Sequence, residues 1–162
     1  MGLEKRDRVG VFKVMCCNKH MIFAGRVPLL VNRCYGGFSL SHDAVNAYNS
    51  ECNAESQIAA GGREISRTDR LLAAVYSRLQ ERANGICAKL ELYWVEERFE
   101  EYLDVCEYDG YESVSVNFEK YKLDMIHKIT TMDVSSEEKI DRIQHVFMES
   151  EPSIIDDNGN PI

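Results

Sequence analysis

The sequence predicts an α+β fold: a small mixed sheet with an antiparallel hairpin, helices packed mainly on one face, a C-terminal helix and an acidic tail. Three observations predict it. Stretches of strand-like alternation are interrupted by stretches with helical spacing, so neither kind of element dominates. Asp109-Gly110 sits between two alternating runs, and tight hairpins favour this dipeptide because both positions accept positive φ. Ser39 or Ser41, and later Ser135, stand just ahead of apolar periodic stretches, where a hydroxyl can accept from an unpaired helix amide.

Residues 9–16 read as a strand with Val9 and Val11 on an apolar face, and Asn18-Lys19 turns it into a second strand around 21–24, a basic hairpin. Val27-Pro28-Leu29-Leu30-Val31 is a short apolar run with proline near its start, where a strand tolerates it, so a largely buried strand is expected. Gly36-Gly37 ends this stretch. Leu40, Ala44, Tyr48 and Cys52 then recur four apart and give the next helix its packing face. Residues 53–64 mix small and polar side chains around Gly61-Gly62 and predict an exposed loop.

A second helix starts near Asp69, with Leu71, Leu72, Val75, Tyr76 and Leu79 at helical spacing, and Asn84-Gly85 supplies a left-handed stop. Residues 87–94 alternate, which directs Leu90, Leu92 and Trp94 inward and Lys89, Glu91 and Tyr93 outward. A strand over 102–108 enters the Asp109-Gly110 turn, and Val114, Val116 and Phe118 form the return. A helix follows over 119–129. Ser135 and Glu138 have capping-box spacing, and Ile140, Ile143 and Phe147 form the apolar stripe of the last helix. Residues 149–162 hold four acids, no bases and two prolines, and predict disorder unless a partner holds them.

Composition narrows the function. With 162 residues, 44% of them apolar, the chain can build one real core. The formal charge of −8 argues against nucleic acid as a partner, because that binding rests on bases meeting phosphate. The charge is uneven: residues 1–33 carry seven bases and two acids, whereas residues 91–112 carry nine acids and one base. Such asymmetry can guide assembly with a partner or with another copy. The six cysteines form no C-x-x-C pair, the first apolar residues are broken by Glu4 to Arg8, and the four histidines are scattered. Reduced thiols, no metal or other cofactor and no secretory leader are therefore expected. No apolar run approaches the ~20 residues that cross a bilayer, so no membrane span is expected.

Four blocks occur in order: Val31-Asn32-Arg33-Cys34-Tyr35-Gly36-Gly37-Phe38-Ser39-Leu40-Ser41; Arg67-Thr68-Asp69; Ala83-Asn84-Gly85 followed by Ala88-Lys89-Leu90; and Glu107-Tyr108-Asp109-Gly110. This series resembles a family of uncharacterised small proteins of bacteriophages and large DNA viruses with an N-R-C-[YF]-G-G-F-[GS]-L-S signature and a downstream E-Y-D-G block. The resemblance covers residues 27–116, with Arg70 where the family commonly has proline. It implies a viral origin, in the virion or the host cytoplasm, and no particular chemistry.

Two roles are open for the glycine pair. Arg33, Gly36, Gly37, Ser39 and Ser41 are the residues that could hold a phosphate-bearing or nucleotide-like ligand, since a glycine loop entering a helix presents amides to an anion. Alternatively the glycines only permit a sharp bend while Phe38 and Leu40 plug the core. Neither a P-loop nor a dinucleotide fingerprint is present. Glu107, Tyr108, Asp109 and Glu112 could serve a metal or general acid–base chemistry, and Cys34 beside Arg33 could be an activated thiol; a hairpin turn and a packed small side chain explain them as well. Trp94 beside Tyr93 suggests base stacking, yet the surrounding Glu91, Glu96 and Glu97 point to core packing. The expected division is a basic extension (1–26), an α+β core (27–130), an amphipathic helix (131–150) and a tail (151–162). The expected role is that of a non-enzymatic viral structural or accessory protein contacting other viral proteins or itself, with Ile140, Ile143 and Phe147 as the partner face. The alternative is a ligand-binding module built on the Gly36-Gly37 loop.

Overall fold

The computed structural model describes residues 24–162, so the expected basic hairpin, with Cys16 and Cys17, lies outside the described residues up to position 23. Strand β1 (Arg26–Asn32) pairs antiparallel with β2 (Leu90–Glu96), Arg26 lying opposite Glu96 and Asn32 opposite Leu90. Both faces of this pair are covered. Leu30, Leu90 and Leu92 pack with α1 (His42–Glu51) and α2 (Arg70–Leu79), whereas Val27, Leu29, Val31, Tyr93 and Val95 pack against the opposite layer. That layer consists of a 3-10 turn at Glu97–Tyr102, the hairpin of β3 (Leu103–Tyr108) and β4 (Tyr111–Val116), and α3 (Phe118–Thr131). Two covered faces explain why β1 reads as a continuous apolar run rather than an alternating one.

Tyr93 therefore departs from the expected outward orientation and is only 5% exposed. Alternation alone cannot reveal that the second face is also dry. Trp94 is half-buried and packs on the side of the sheet that carries α1 and α2.

The helix starts follow their caps. Ser41 accepts from the Ala44 amide, Asp69 from Leu72 and Asn117 from Lys120. Helix α2 ends at Leu79, earlier than the Asn84-Gly85 stop, and Gln80 takes the positive φ of 53°. The chain then tightens into a 3-10 turn over Gln80–Ala83, which lets Ala83 accept from the Ser41 amide at 2.8 Å. The hairpin turns where the dipeptide predicts, with φ of 50° at Asp109 and 86° at Gly110. Phe118, expected at the end of the return strand, instead opens α3 and meets Phe99 edge-on at 6.0 Å between ring centroids.

Helix α4 (Ser136–Met148) packs on α3, with Val146 and Ile129 both buried. Ser135 accepts from the Glu138 amide at 3.2 Å, while the Glu138 carboxylate meets Arg142 one turn on at 2.6 Å.

The expectation of a disordered tail is corrected. Ile154 and Ile155 are buried, and β5 (Ile155–Asp156) adds to β2, giving the order β1-β2-β5. Asp156 accepts from the amides of Asn158 at 2.8 Å and Asn160 at 2.9 Å, and the Asn160 bonds hold its carboxyl below the usual range. Trp94 donates from Nε1 to Asp157 at 2.8 Å. Acids and prolines dominate the tail's composition, but two adjacent isoleucines give it an apolar anchor. Among the described residues no helix is long and apolar enough to cross a membrane.

Candidate functional site

The four sequence blocks meet at one place, the bend after β1. Asn32, the polar residue that ends the apolar run, is fully buried and binds in three directions. Its amide donates to Glu112 Oε2 at 2.8 Å, its side-chain nitrogen donates to the carbonyl oxygens of Gly110 at 2.7 Å and Cys34, and its side-chain oxygen accepts from the Lys89 amide at 2.8 Å. One side chain thus joins the glycine loop, the start of β2 and the tip of the hairpin.

Glu112 is 2% exposed, and Arg67 meets it through Nε at 2.9 Å and Nη2 at 2.7 Å. The same guanidinium donates to the Ile65 carbonyl at 2.8 Å and lies 3.5 Å from the Phe38 ring centroid. The Leu30 amide donates to the Arg67 carbonyl at 2.8 Å. The outer edge of β1 is therefore sealed by a carbonyl and a carboxylate instead of another strand, which satisfies amides that would otherwise be buried unpaired.

The glycines permit close backbone approach. A Cβ on Gly36 would lie 1.8 Å from the Cys87 carbonyl oxygen, and one on Gly110 would lie 2.3 Å from the Gly37 nitrogen. Gly85, not needed as a helix stop, lets its segment come against Ser39, whose Oγ would be 2.1 Å from an added Cβ.

Of the five residues expected to hold an anion, the structure brings Gly36 and Gly37 to an open cleft and takes the other three elsewhere. Arg33 donates to the Tyr93 hydroxyl at 3.2 Å and the Glu112 carbonyl at 3.1 Å, its guanidinium lying between the Tyr93 and Tyr111 rings. Ser39 accepts from the Gly85 amide through its carbonyl at 2.9 Å. Ser41 caps α1 and donates its hydroxyl to the Arg82 carbonyl at 2.6 Å. Tyr93 donates to Glu91 at 2.5 Å, and burial together with that carboxylate pushes its pKa up to about 12. Burial and a bond to Asp69 likewise raise Tyr48 to about 12.

The cleft encloses about 380 Å³ and is lined by Gly36, Gly37, Arg63, Arg67, Glu107 and Asp109, among others. Sequence alone does not single out Arg63 or Arg67 as site residues, although the block Arg67-Thr68-Asp69 marks the second of them. A bare phosphate would meet two carboxylates here, and one of the two arginines is already neutralised by Glu112. The mixture of signs suits a compact ligand carrying both a positive and a negative group. Of the four residues considered for a metal or acid–base chemistry, Glu112 is committed to Arg67, and Tyr108 is 81% exposed and adjacent along β3 to Glu107, which places the two on opposite faces of the hairpin. Cys34 is half-buried, and its carbonyl accepts from Asn32. Among the described residues no three His, Cys, Asp or Glu side chains are grouped to hold a metal ion.

The expected partner face lies on α4. Ile140 is 57% and Phe147 62% exposed, with Ile143 half-buried between them. Val146, outside that stripe, makes the buried contact. No family model, curated protein or solved structure matches the chain.

Proposed function

We propose that the protein works by binding another protein, as a structural or accessory component of the viral kind that the four sequence blocks resemble, with the outer face of α3 and α4 as the contact. The observation that supports this reading is where unengaged side chains lie. The blocks' polar groups hold the fold together, through Asn32, Arg33, Ser41, Arg67 and Glu112. By contrast Ile140 and Phe147 on α4 and Leu123 on α3 are exposed. Ile140 and Phe147 stand seven residues apart and so share one face of α4, and apolar groups that share an exposed helix face are candidates for a contact surface, as Ile86, Tyr35 and Tyr108, exposed near the bend and hairpin, are not. The chain as a whole carries 27 acids against 19 bases, so long-range attraction favours a cationic partner bearing apolar side chains, while α3 and α4 themselves hold five acids and five bases and leave the contact to apolar packing.

A cationic amphipathic helical peptide with one leucine face is the probe. Binding with a Kd of roughly micromolar, weakening with salt, is the expected result by calorimetry. The double variant Ile140→Glu, Phe147→Glu, with unchanged circular dichroism, should bind roughly tenfold more weakly even though it adds negative charge. Unchanged or tighter binding would mean that charge alone attracts the peptide, and the reading fails.

The cleft supports a second reading, a module for a small zwitterion whose anionic group meets Arg63 and whose cationic group meets Glu107 and Asp109. Its expected result is a rise in melting temperature with free amino acids but not with inorganic phosphate, abolished in Arg63→Ala. A rise with phosphate alone would restore the anion-binding role read from the glycine pair.

A further inference from the structure

We propose that the open edge of the hairpin, strand β3, takes up an extended basic segment of another protein as an added strand. This edge is separate from the face of α3 and α4, and it offers backbone groups rather than apolar side chains. Opposite residues of an antiparallel pair alternate between those that exchange both hydrogen bonds and those that exchange none. The Asn117 amide donates to the Tyr102 carbonyl at 2.7 Å, one step beyond the pair of Leu103 and Val116. Residues 104, 106 and 108 therefore turn their amides and carbonyls toward β4, whereas Leu103, Val105 and Glu107 turn theirs away from it. The Leu103 amide donates back to the Glu100 carbonyl. The amides and carbonyls of Val105 and Glu107 have no partner among the described residues.

Elsewhere the fold closes such edges. The Arg67 carbonyl and the Glu112 carboxylate seal β1, and on the far side of the hairpin the Glu112 carbonyl of β4 accepts from Arg33. Strand β3 has no comparable seal, and every residue from Asp104 to Tyr108 is exposed. An open row of amides and carbonyls is a template on which another strand can pair.

Charge selects the occupant. Residues 99–119 carry seven acids and no base. Glu112 is engaged by Arg67, but Asp104 and Glu107 stand exposed on β3 and form no ion pair among the described residues. Lys120 lies over the Tyr102 ring, ahead of the strand, and Arg63 shares the cleft with Glu107. A second copy of β3 would bring the same two acids and no base to the edge, and like charges set across a ladder repel. A basic strand meets opposite charge instead. Because Asp104 and Glu107 stand three apart, bases opposite them are three apart in either strand direction, and a β-branched residue fits opposite Val105, itself 39% exposed.

The probe is the peptide Thr-Lys-Val-Val-Lys-Thr, blocked at both ends and added to the full chain. Hydrogen exchange read by NMR should show the Val105 and Glu107 amides exchanging fast in the free protein and at least roughly tenfold more slowly with saturating peptide. Methylating both valine amides of the peptide keeps its charges and side chains but removes a donor that faces β3 in either direction, so this protection should vanish. Asp104→Asn combined with Glu107→Gln should weaken binding of the unmethylated peptide roughly tenfold. If the Val105 and Glu107 amides of the free protein exchange as slowly as those of Asp104 and Cys106, the edge is already covered, by this chain or by a second copy, and the proposal is overturned. Protection by the methylated peptide, protection confined to other amides, no protection at all, or an affinity indifferent to loss of the two acids would overturn it too.

Discussion

Glu112→Ala is expected to lose about 3–5 kcal/mol of folding stability, the largest effect of any single side chain outside the apolar core. At ~2 kcal/mol per molar of urea the unfolding midpoint falls by roughly 2 M. The reason is what stays behind. Arg67, with a side chain only 17% exposed, loses the carboxylate that faces both Nε and Nη2, and the Asn32 amide loses its acceptor in the interior. Glu112→Gln should be milder, because the amide oxygen still accepts while the charge pairing is gone. Arg67→Met combined with Glu112→Leu tests the partition of the loss. The pair is then replaced by apolar groups of similar length, so the double variant should be more stable than the sum of Glu112→Ala and Arg67→Ala implies. Recovery should be incomplete, because a leucine side chain offers no acceptor to the Asn32 amide. If Glu112→Ala unfolds at the wild-type urea concentration, the carboxylate does not seal the edge of β1.

Local chemistry makes most elements legible. Ser41, Ser135 and the Asp109-Gly110 turn act through neighbours within a few residues, so their meaning is present in a short window of sequence. The apolar stripe of α1 and the run of β1 are legible for the same reason. What escapes depends on partners far along the chain. Glu112 reads as one more acid in an acidic stretch until β4 brings it beneath Arg67, 45 residues away in sequence. Asn32 and Gly110 are separated by 78 residues. Arg33 looks free to bind an anion only because sequence cannot place Tyr93, Tyr111 and the Glu112 carbonyl around it. The tail misleads by averaging: its acids outnumber Ile154 and Ile155, but burial of those two side chains against the sheet outweighs composition. The cleft is half legible, since the glycine pair marks its floor while Arg63 comes from a stretch that reads only as loop.

Gly36→Ala should destabilise by about 3 kcal/mol or more, and it distinguishes a glycine kept for space from one kept for its backbone angle. Gly36 has no positive φ, so alanine is not excluded there by conformation. Its added Cβ would nevertheless fall 1.8 Å from the Cys87 carbonyl oxygen and 2.3 Å from Cys87 Cβ. The obstructing atoms belong to or adjoin backbone, which cannot swing aside as the end of a flexible side chain would, so the loop and the entry to β2 must separate. Gly61 is the opposite case, with φ of 84° and nothing within 4 Å of a built Cβ. Gly61→Ala carries only the left-handed penalty of about 1–2 kcal/mol. Thermal melts of the two variants should rank Gly36→Ala well below Gly61→Ala. The reverse order would mean that the loop stands clear of Cys87, leaving the Gly36 backbone open to a ligand on that side. The predicted order makes the pair an architectural device: the chain leaves β1, presses against Cys87 and Gly110, and turns Phe38 under Arg67 toward the core.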